Sequence, residues 1–109
     1  MSMHSQLLKG ILEGCMLVII SRNEVYGYEL SMKLQEYGLS VSEGSVYPVL
    51  LRMQKDNLIE GSMQPSPSGP NRKYYHLTDK GADALGLFKT HWEDIQRPVD
   101  QLLKKDDHT

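Results

Sequence analysis

The 109-residue sequence has little of several features on which common protein classes depend. Its one cysteine, Cys15, cannot form an intramolecular disulfide, which is typical of proteins in a reducing compartment. The apolar run at residues 15–20 is too short to cross a bilayer, and Glu13 interrupts the stretch that a secretory signal would need. The length fits one domain. We therefore expect a cytoplasmic protein that has no membrane partner.

The motifs that carry catalysis or cofactor binding are also missing. There is no glycine-rich phosphate loop and no nucleophile elbow, and the four histidines show no ligand spacing with one another or with Cys15. We therefore predict no catalytic residue, no metal site and no cofactor, and a protein that is not an enzyme.

The sequence also lacks a large positive net charge. The formal net charge is -2 and the isoelectric point is near 6.0, so nonspecific attraction to phosphates cannot by itself drive nucleic-acid binding. Acidic residues outnumber basic ones only after residue 81. The preceding part is neutral and can still carry a local basic surface.

Apolar spacing and capping residues predict three helices in the first half of the chain. The first covers about residues 5–21, and the second follows Tyr26-Gly27 and ends at Gly38. The third is capped by Ser42 and stopped by Asn57. Pro48 has to lie near the start of the third helix or bend it. The predicted core positions are Leu8, Ile11, Leu12, Cys15, Val18, Ile19, Leu30, Leu34, Val46, Val49, Leu50 and Met53.

Two short strands follow, at residues 58–64 and 72–77. The proline-rich segment between them, residues 65–71, is too long for a tight hairpin, so we predict a wing with a flexible loop. Alternation places Tyr75 and Leu77 on one face of the second strand, which leaves at least one tyrosine facing outward.

The last helix begins at Thr78 and carries apolar residues at alternating spacings of three and four. These residues are Leu85, Phe88, Trp92, Ile95, Val99 and Leu102. A seam this narrow packs against another helix, and self-association provides one. Pro98 lies inside the seam, so the helix should kink or restart there.

Trp92 allows two interpretations. It is either a large anchor of the dimer contact, worth up to about 5 kcal/mol if fully buried, or one wall of a ligand site. In the second case a planar aromatic or cationic ligand stacks between two copies of Trp92, with Phe88 and Ile95 beside it and Asp94 or Glu93 at the rim.

The order of two helices, a capped third helix and a basic strand pair is typical of a winged helix-turn-helix that binds DNA. The alternative for the third helix is an ordinary polar surface, and for the wing a solvated charged turn. In the DNA-binding interpretation, Arg72 and Lys73 neutralise phosphates or enter a minor groove. The predicted DNA-binding residues are Tyr28, Ser42, Glu43, Ser45, Tyr47, Arg52, Lys55, Arg72, Lys73 and Tyr74.

Several segments resemble the PadR family of bacterial transcriptional regulators. They are YGYEL at residues 26–30, EGSVYP at 43–48, and RKYY at 72–75 followed by LTDKG at 77–81. The resemblance covers about residues 7–99 and is closest to the small subfamily with a single C-terminal helix. It implies a homodimer that binds a palindromic operator as a repressor and is released by a small molecule. Ser45 and Tyr47 then match the recognition helix, and the helix after Thr78 matches the dimerisation element.

We therefore predict a mainly α protein with a small β-hairpin wing. Residues 1–78 form the winged helix-turn-helix, and residues 79–109 form the dimerisation helix with an acidic tail. The predicted partners are double-stranded DNA with an inverted repeat, a second copy of the chain and a small aromatic or hydrophobic ligand. The alternative is an adaptor that binds another protein. The predicted dimer interface holds Leu8, Ile11, Leu85, Phe88, Trp92, Ile95, Val99 and Leu102.

Overall fold

The computed structural model describes residues 2–106, and within this range the chain forms four helices and a three-stranded antiparallel sheet. The order is α1 (Met3–Arg22), β1 (Val25–Tyr26), α2 (Gly27–Glu36), α3 (Glu43–Lys55), β2 (Ile59–Ser66), β3 (Gly69–Leu77) and α4 (Asp79–Asp106). The strand order is β1-β3-β2. This confirms the predicted mainly α fold with a hairpin wing. Residues 107–109 of the predicted tail lie outside the described residues.

The core is built around α1, which packs against α2, β3 and α4. We call α1 to β3 together with the first turns of α4 the head. The predicted core stripe of α1 is only partly right: Ile11, Cys15 and Val18 are half-buried, whereas Met16 and Leu17 are fully buried. The reason is that α1 has neighbours on more than one side, so its buried surface is wider than a single stripe.

By length and composition alone α1 could cross a membrane. A core helix of a globular protein passes the same test, and the buried residues of α1 belong to the hydrophobic core of the head. The finding is therefore weak evidence for a membrane span.

The predicted helix ends are confirmed by local geometry. Gly38, which follows α2, has a φ of 96°, the left-handed conformation that glycine adopts without strain. The Ser42 hydroxyl accepts the backbone N–H of Ser45 at 3.2 Å and caps α3. The Thr78 hydroxyl accepts the N–H of Gly81 at 3.0 Å and caps α4.

Both prolines inside helices are accommodated. Pro48 lies in the second turn of α3 and Pro98 in the second half of α4, and each helix continues past its proline. The fixed φ of proline is compatible with a helix, although proline lacks the N–H for one backbone hydrogen bond and its ring crowds the preceding turn. Of the kink or restart predicted at Pro98, the restart does not occur, because α4 is continuous from Asp79 to Asp106.

The wing differs most from the sequence prediction. The strands extend to Ser66 and Gly69, which pair directly and leave a two-residue turn at residues 67–68. The prediction that residues 65–71 are too long for a tight hairpin is therefore wrong. Gly69 has a φ of 140°, and a register shift between Gln64 and Ser66 lets the proline-containing segment stay in the ladder.

The short strand β1 was not predicted, because two residues carry no periodicity. Val25 pairs with Tyr75, and Tyr26 pairs with Tyr74. Since Tyr26 is also the N-cap residue of α2, this pairing joins the wing directly to the helix-turn-helix.

Helix α4 leaves the head at a close contact with α1. Leu85 is buried in the core, and a Cβ atom on Gly14 would overlap the Phe88 ring. Beyond this contact every residue from 89 to 104 is exposed in the single chain. The molecule is accordingly elongated, with extents of 59 × 27 × 22 Å.

The Gly14 contact generates a stability prediction. Gly14→Ala should lower the free energy of unfolding by about 1–3 kcal/mol, because the added methyl group forces Phe88 and α4 to move. The matched control is Gly86→Ala on α4, where an added Cβ meets nothing within 4 Å. Its expected effect is a gain of up to about 1 kcal/mol from helix propensity. Urea unfolding at one fixed protein concentration measures both, and a Gly14→Ala variant as stable as Gly86→Ala would contradict the packing described.

Candidate nucleic-acid interface

Helix α3 is held by one face and exposed on the other. Val46, Leu50 and Met53 are buried in the head, and Asn57, with a φ of 61°, ends the segment just after the helix. The exposed residues of α3 are Glu43, Gly44, Ser45, Tyr47, Pro48, Leu51, Arg52 and Lys55. A helix fixed in this way can enter a groove of DNA without losing its packing.

An open cleft of about 580 Å³ lies between the start of α2, the first half of α3 and the wing strand β3. Its lining residues are Tyr26, Gly27, Tyr28, Glu43, Gly44, Val46, Tyr47, Leu50, Arg72, Lys73 and Tyr75. Five of the predicted DNA-binding residues are therefore brought to one cleft: Tyr28, Glu43, Tyr47, Arg72 and Lys73. They come from three separate parts of the sequence.

The other predicted DNA-binding residues do not line this cleft. Ser42 and Ser45 are exposed at the start of α3, beside it, and Lys55 is exposed at the far end of the helix. Tyr74 packs against Tyr26, with ring centroids 5.5 Å apart.

Arg52 has a partner within the head. Its guanidinium contacts the carboxylate of Glu13 on α1 at 3.2 Å, so it bridges two helices of the head. Both side chains are substantially exposed, and such a pair contributes about 0–1 kcal/mol. Sequence spacing identified the exposed side of α3 but could not identify a partner on α1.

The two wing cations are held differently. Arg72 lies 4.4 Å from the centre of the Tyr26 ring and donates a 3.1 Å hydrogen bond to the Ser68 hydroxyl. Lys73 runs over Gly61, where a Cβ atom would overlap its side chain, and its ammonium lies 5.9 Å from the Tyr75 ring. Among the side chains that the structure describes, neither cation forms an ion pair. Both charges remain free to meet an anion.

Two tyrosines of the cleft, Tyr26 and Tyr75, are absent from the predicted DNA-binding residues. The placement of Tyr75 and Leu77 on one face of the strand was predicted, but the position of Tyr75 on the cleft wall depends on how the sheet packs beside α3. Burial, with a smaller contribution from neighbouring Tyr47, raises the pKa of the Tyr75 hydroxyl. This phenol therefore stays neutral and able to donate a hydrogen bond at physiological pH. Tyr26 belongs to the YGYEL segment, but its place on the cleft wall depends on its pairing with β3.

Glu43 gives the cleft an acidic member. It lies in the first turn of α3, where the helix dipole favours a negative charge. A carboxylate on this surface repels phosphate but can accept a hydrogen bond from the exocyclic amine of cytosine.

The predicted dimer seam divides into two parts. Leu8 and Leu85 are largely buried within their own protomer, so little of either side chain is exposed to a second copy. Ile11 and Phe88 are half-buried, and Phe88 packs on α1. The outer part remains exposed: Trp92 at 41%, Ile95 at 59%, Val99 at 44% and Leu102 at 63%. Exposed apolar residues in a row of this kind mark an interaction surface.

Cys15 belongs to a half-buried wall between α1 and α2. It lines an apolar hollow of about 240 Å³, and burial raises the pKa of its thiol. Little reactive thiolate forms at neutral pH, which supports a packing role.

Together, a helix-turn-helix formed by α2 and α3 and a hairpin carrying two unpaired cations define a winged helix-turn-helix protein. Comparison with known proteins agrees. The model of the PadR-like family of transcriptional regulators matches residues 16–87. The crystal structure of a PadR-like transcriptional regulator from Bacillus cereus is similar, with 60% sequence identity and a TM-score of 0.84 over 90% of this chain and 96% of that chain.

Two further proteins are similar. A Streptococcus transcriptional regulator of known structure is 43% identical, with a TM-score of 0.81 over 89% of this chain and 96% of that chain. A transcriptional regulator from Mycobacterium tuberculosis is 36% identical over 77 residues, which is 71% of each protein. The chain belongs to the PadR-like family. It is a transcriptional regulator, a class of protein that acts through DNA, and is not an enzyme.

Proposed function

We propose that the protein is a homodimeric repressor in the cytoplasm that binds an inverted-repeat operator and is released by a small aromatic or hydrophobic ligand. The observation that carries the DNA-binding surface is the cleft in which α2, α3 and the wing meet. Each head places α3 in a major groove, led by Ser45 and Tyr47. The two half-sites lie about one helical turn, or about 34 Å, apart.

The wing and the edges of the cleft supply the contacts that hold the head in register. Arg72 and Lys73 meet phosphates or a minor groove, and the hydroxyls of Tyr28 and Tyr47 donate to phosphate. Ser42, Glu43, Lys55 and Tyr74 complete the proposed surface. Arg52 can exchange Glu13 for a phosphate at little cost because that ion pair is exposed.

The exposure of the second half of α4 supports the proposed dimerisation through this helix. Residues 89–104 have no contact that buries them within the protomer, and an isolated helix of this length is marginally stable in water. Trp92, Ile95, Val99 and Leu102 offer an apolar surface that a second copy can cover, with Ile11 and Phe88 at its border. Covering the exposed part of Trp92 contributes about 2 kcal/mol. In this proposal residues 1–78 bind DNA and residues 79–109 dimerise.

The same surface provides a means of regulation. A planar ligand that stacks between two copies of Trp92, bordered by Phe88, Asp94 and Ile95, changes how the two α4 helices pack. Because Phe88 contacts α1 at Gly14, a shift of α4 moves the heads relative to each other. A coupling of about 1–3 kcal/mol is enough to release an operator. The adaptor alternative is not favoured by the family assignment.

Salt dependence tests the DNA-binding proposal. Selection of bound oligonucleotides should return an inverted repeat, and the affinity for it should fall steeply with salt. Arg72→Ala and Lys73→Ala should each flatten the log–log slope by about one unit for every phosphate contact removed, because fewer counterions are released. Lys89→Ala, an exposed cation on α4, is the matched control and should leave the slope unchanged. A wild-type slope near zero would favour the adaptor.

Sedimentation tests the dimer. Val99→Glu places a charge in the exposed apolar row and should convert a micromolar dimer to monomers, with operator affinity falling at least about tenfold because only one half-site is held at a time. Thr90→Glu adds the same charge on the opposite side of α4 and should stay dimeric. Wild-type protein that sediments as a monomer at micromolar concentration would contradict the proposal.

Tryptophan fluorescence tests the effector. As Trp92 is the only tryptophan, a planar aromatic that stacks on it should quench the emission and weaken operator binding by about 5- to 150-fold at saturation. Trp92→Leu keeps the surface apolar and should remove the response. If a broad panel of planar aromatics changes neither the tryptophan emission nor the operator affinity, the ligand part of the proposal is refuted.

A further inference from the structure

The wing arginine is held in place before any DNA arrives. The Arg72 guanidinium carbon lies 4.4 Å from the centre of the Tyr26 ring, which is a cation–π contact. Its Nη2 also donates to the Ser68 hydroxyl at 3.1 Å, across the turn of the wing. Two contacts from different directions restrict the side chain, which would otherwise sample many rotamers.

Tyr26 is itself fixed by the fold. Its backbone pairs with Tyr74 in the sheet, and the Tyr74 ring meets it edge-on, with planes at 74° and centroids 5.5 Å apart. Tyr26 is also the N-cap residue of α2. The ring therefore has a defined position relative to the helix-turn-helix. Through the cation–π contact it also restrains the position of the Arg72 guanidinium.

This arrangement leaves Arg72 able to bind. A guanidinium has five N–H donors, and the cation–π contact with Tyr26 is an electrostatic attraction that needs no hydrogen-bond acceptor. The Ser68 hydroxyl accepts one donor. The others can reach a phosphate oxygen or a base edge, and no carboxylate among the described side chains competes for them.

We propose that Tyr26 is a positioning residue for DNA recognition: its ring aims the Arg72 guanidinium and couples the direction of the wing cation to α2. The inference rests on the proposed DNA contact of Arg72. Ordering the arginine in the free protein lowers the entropy lost on binding, so Tyr26 raises affinity without touching DNA. Lys73, which lies over Gly61 on the other face of β3, does not depend on this ring.

A double-mutant cycle on the selected operator tests the coupling. Tyr26→Leu removes the aromatic face and should weaken binding about two- to fivefold. Tyr26→Phe keeps the face and should bind within about twofold of the wild type. In an Arg72→Ala background Tyr26→Leu should have no further effect, because the group that it positions is gone. Fluorescence anisotropy at one salt concentration measures all of these affinities.

The matched control is Tyr37→Leu. Tyr37 also contacts an arginine, with its hydroxyl 2.8 Å from Arg22, but it lies between α1 and α2 and does not line the cleft. Its loss should leave operator affinity unchanged. An NMR readout on the free dimer is independent of DNA: the Arg72 side-chain protons should show an upfield ring-current shift that Tyr26→Phe retains and Tyr26→Leu abolishes.

The proposal would be overturned if Tyr26→Leu lowered the operator affinity by the same factor in the wild-type and Arg72→Ala backgrounds. It would also be overturned if the Arg72 side-chain protons of the free protein showed no upfield shift. Should Tyr26→Leu fail to fold, Arg72→Lys replaces it. Compared with Arg72→Ala, Arg72→Lys restores the positive charge and therefore the slope of affinity against salt, but it should not restore the operator affinity. An Arg72→Lys variant with the operator affinity of the wild type would overturn the proposal. If the wild type binds no duplex, the proposed function fails together with this inference; if it binds and the cycle shows no coupling, this inference alone fails.

Discussion

The close approach of α1 and α4 at Gly14 is the contact that sets the arrangement of the whole molecule. A residue without a side chain lets the Phe88 ring lie against the α1 backbone, and this contact sets where α4 leaves the head. The first turns of α4 complete the core through Leu85, while the remainder projects with its apolar residues exposed. One helix therefore serves both the packing of the head and the proposed association of two heads.

The proposed DNA-binding surface depends on a second, smaller constraint, the pairing of β1 with β3. Through this pairing the wing strand β3 is joined by backbone hydrogen bonds to the residues at which α2 begins. With it, Tyr26 and Tyr74 lie at the junction between wing and α2, and the two wing cations face the cleft beside α3. The chain as a whole is slightly acidic, so such local placement of a few cations matters more than net charge.

Helix α1 connects α4 with α3. It contacts α4 through Gly14 and α3 through the ion pair of Glu13 with Arg52, so adjacent residues on α1 face these two helices. In the proposed mechanism a change in the packing of α4 is therefore transmitted to α3 through one rigid element. The exposed ion pair between Glu13 and Arg52 is too weak to fix the position of α3 by itself. The buried side chains of Val46, Leu50 and Met53 keep α3 packed against the rest of the head.

The order of residues along the chain was enough to predict the helices, their caps at Ser42 and Thr78, the left-handed glycine at Gly38 and the spacing of the α4 seam. Each of these depends on residues within one or two turns of one another, so the physics is local. The tight wing turn, the strand β1, the wide buried surface of α1 and the partner of Arg52 became visible only in the folded molecule. These depend on contacts between distant segments: β3 pairs with β1 about fifty residues away, and Arg52 reaches Glu13 on another helix. Contacts between distant segments leave no periodic pattern in the sequence of either segment. Each segment alone lacks the information, because the contact exists only once the fold has brought the two segments together.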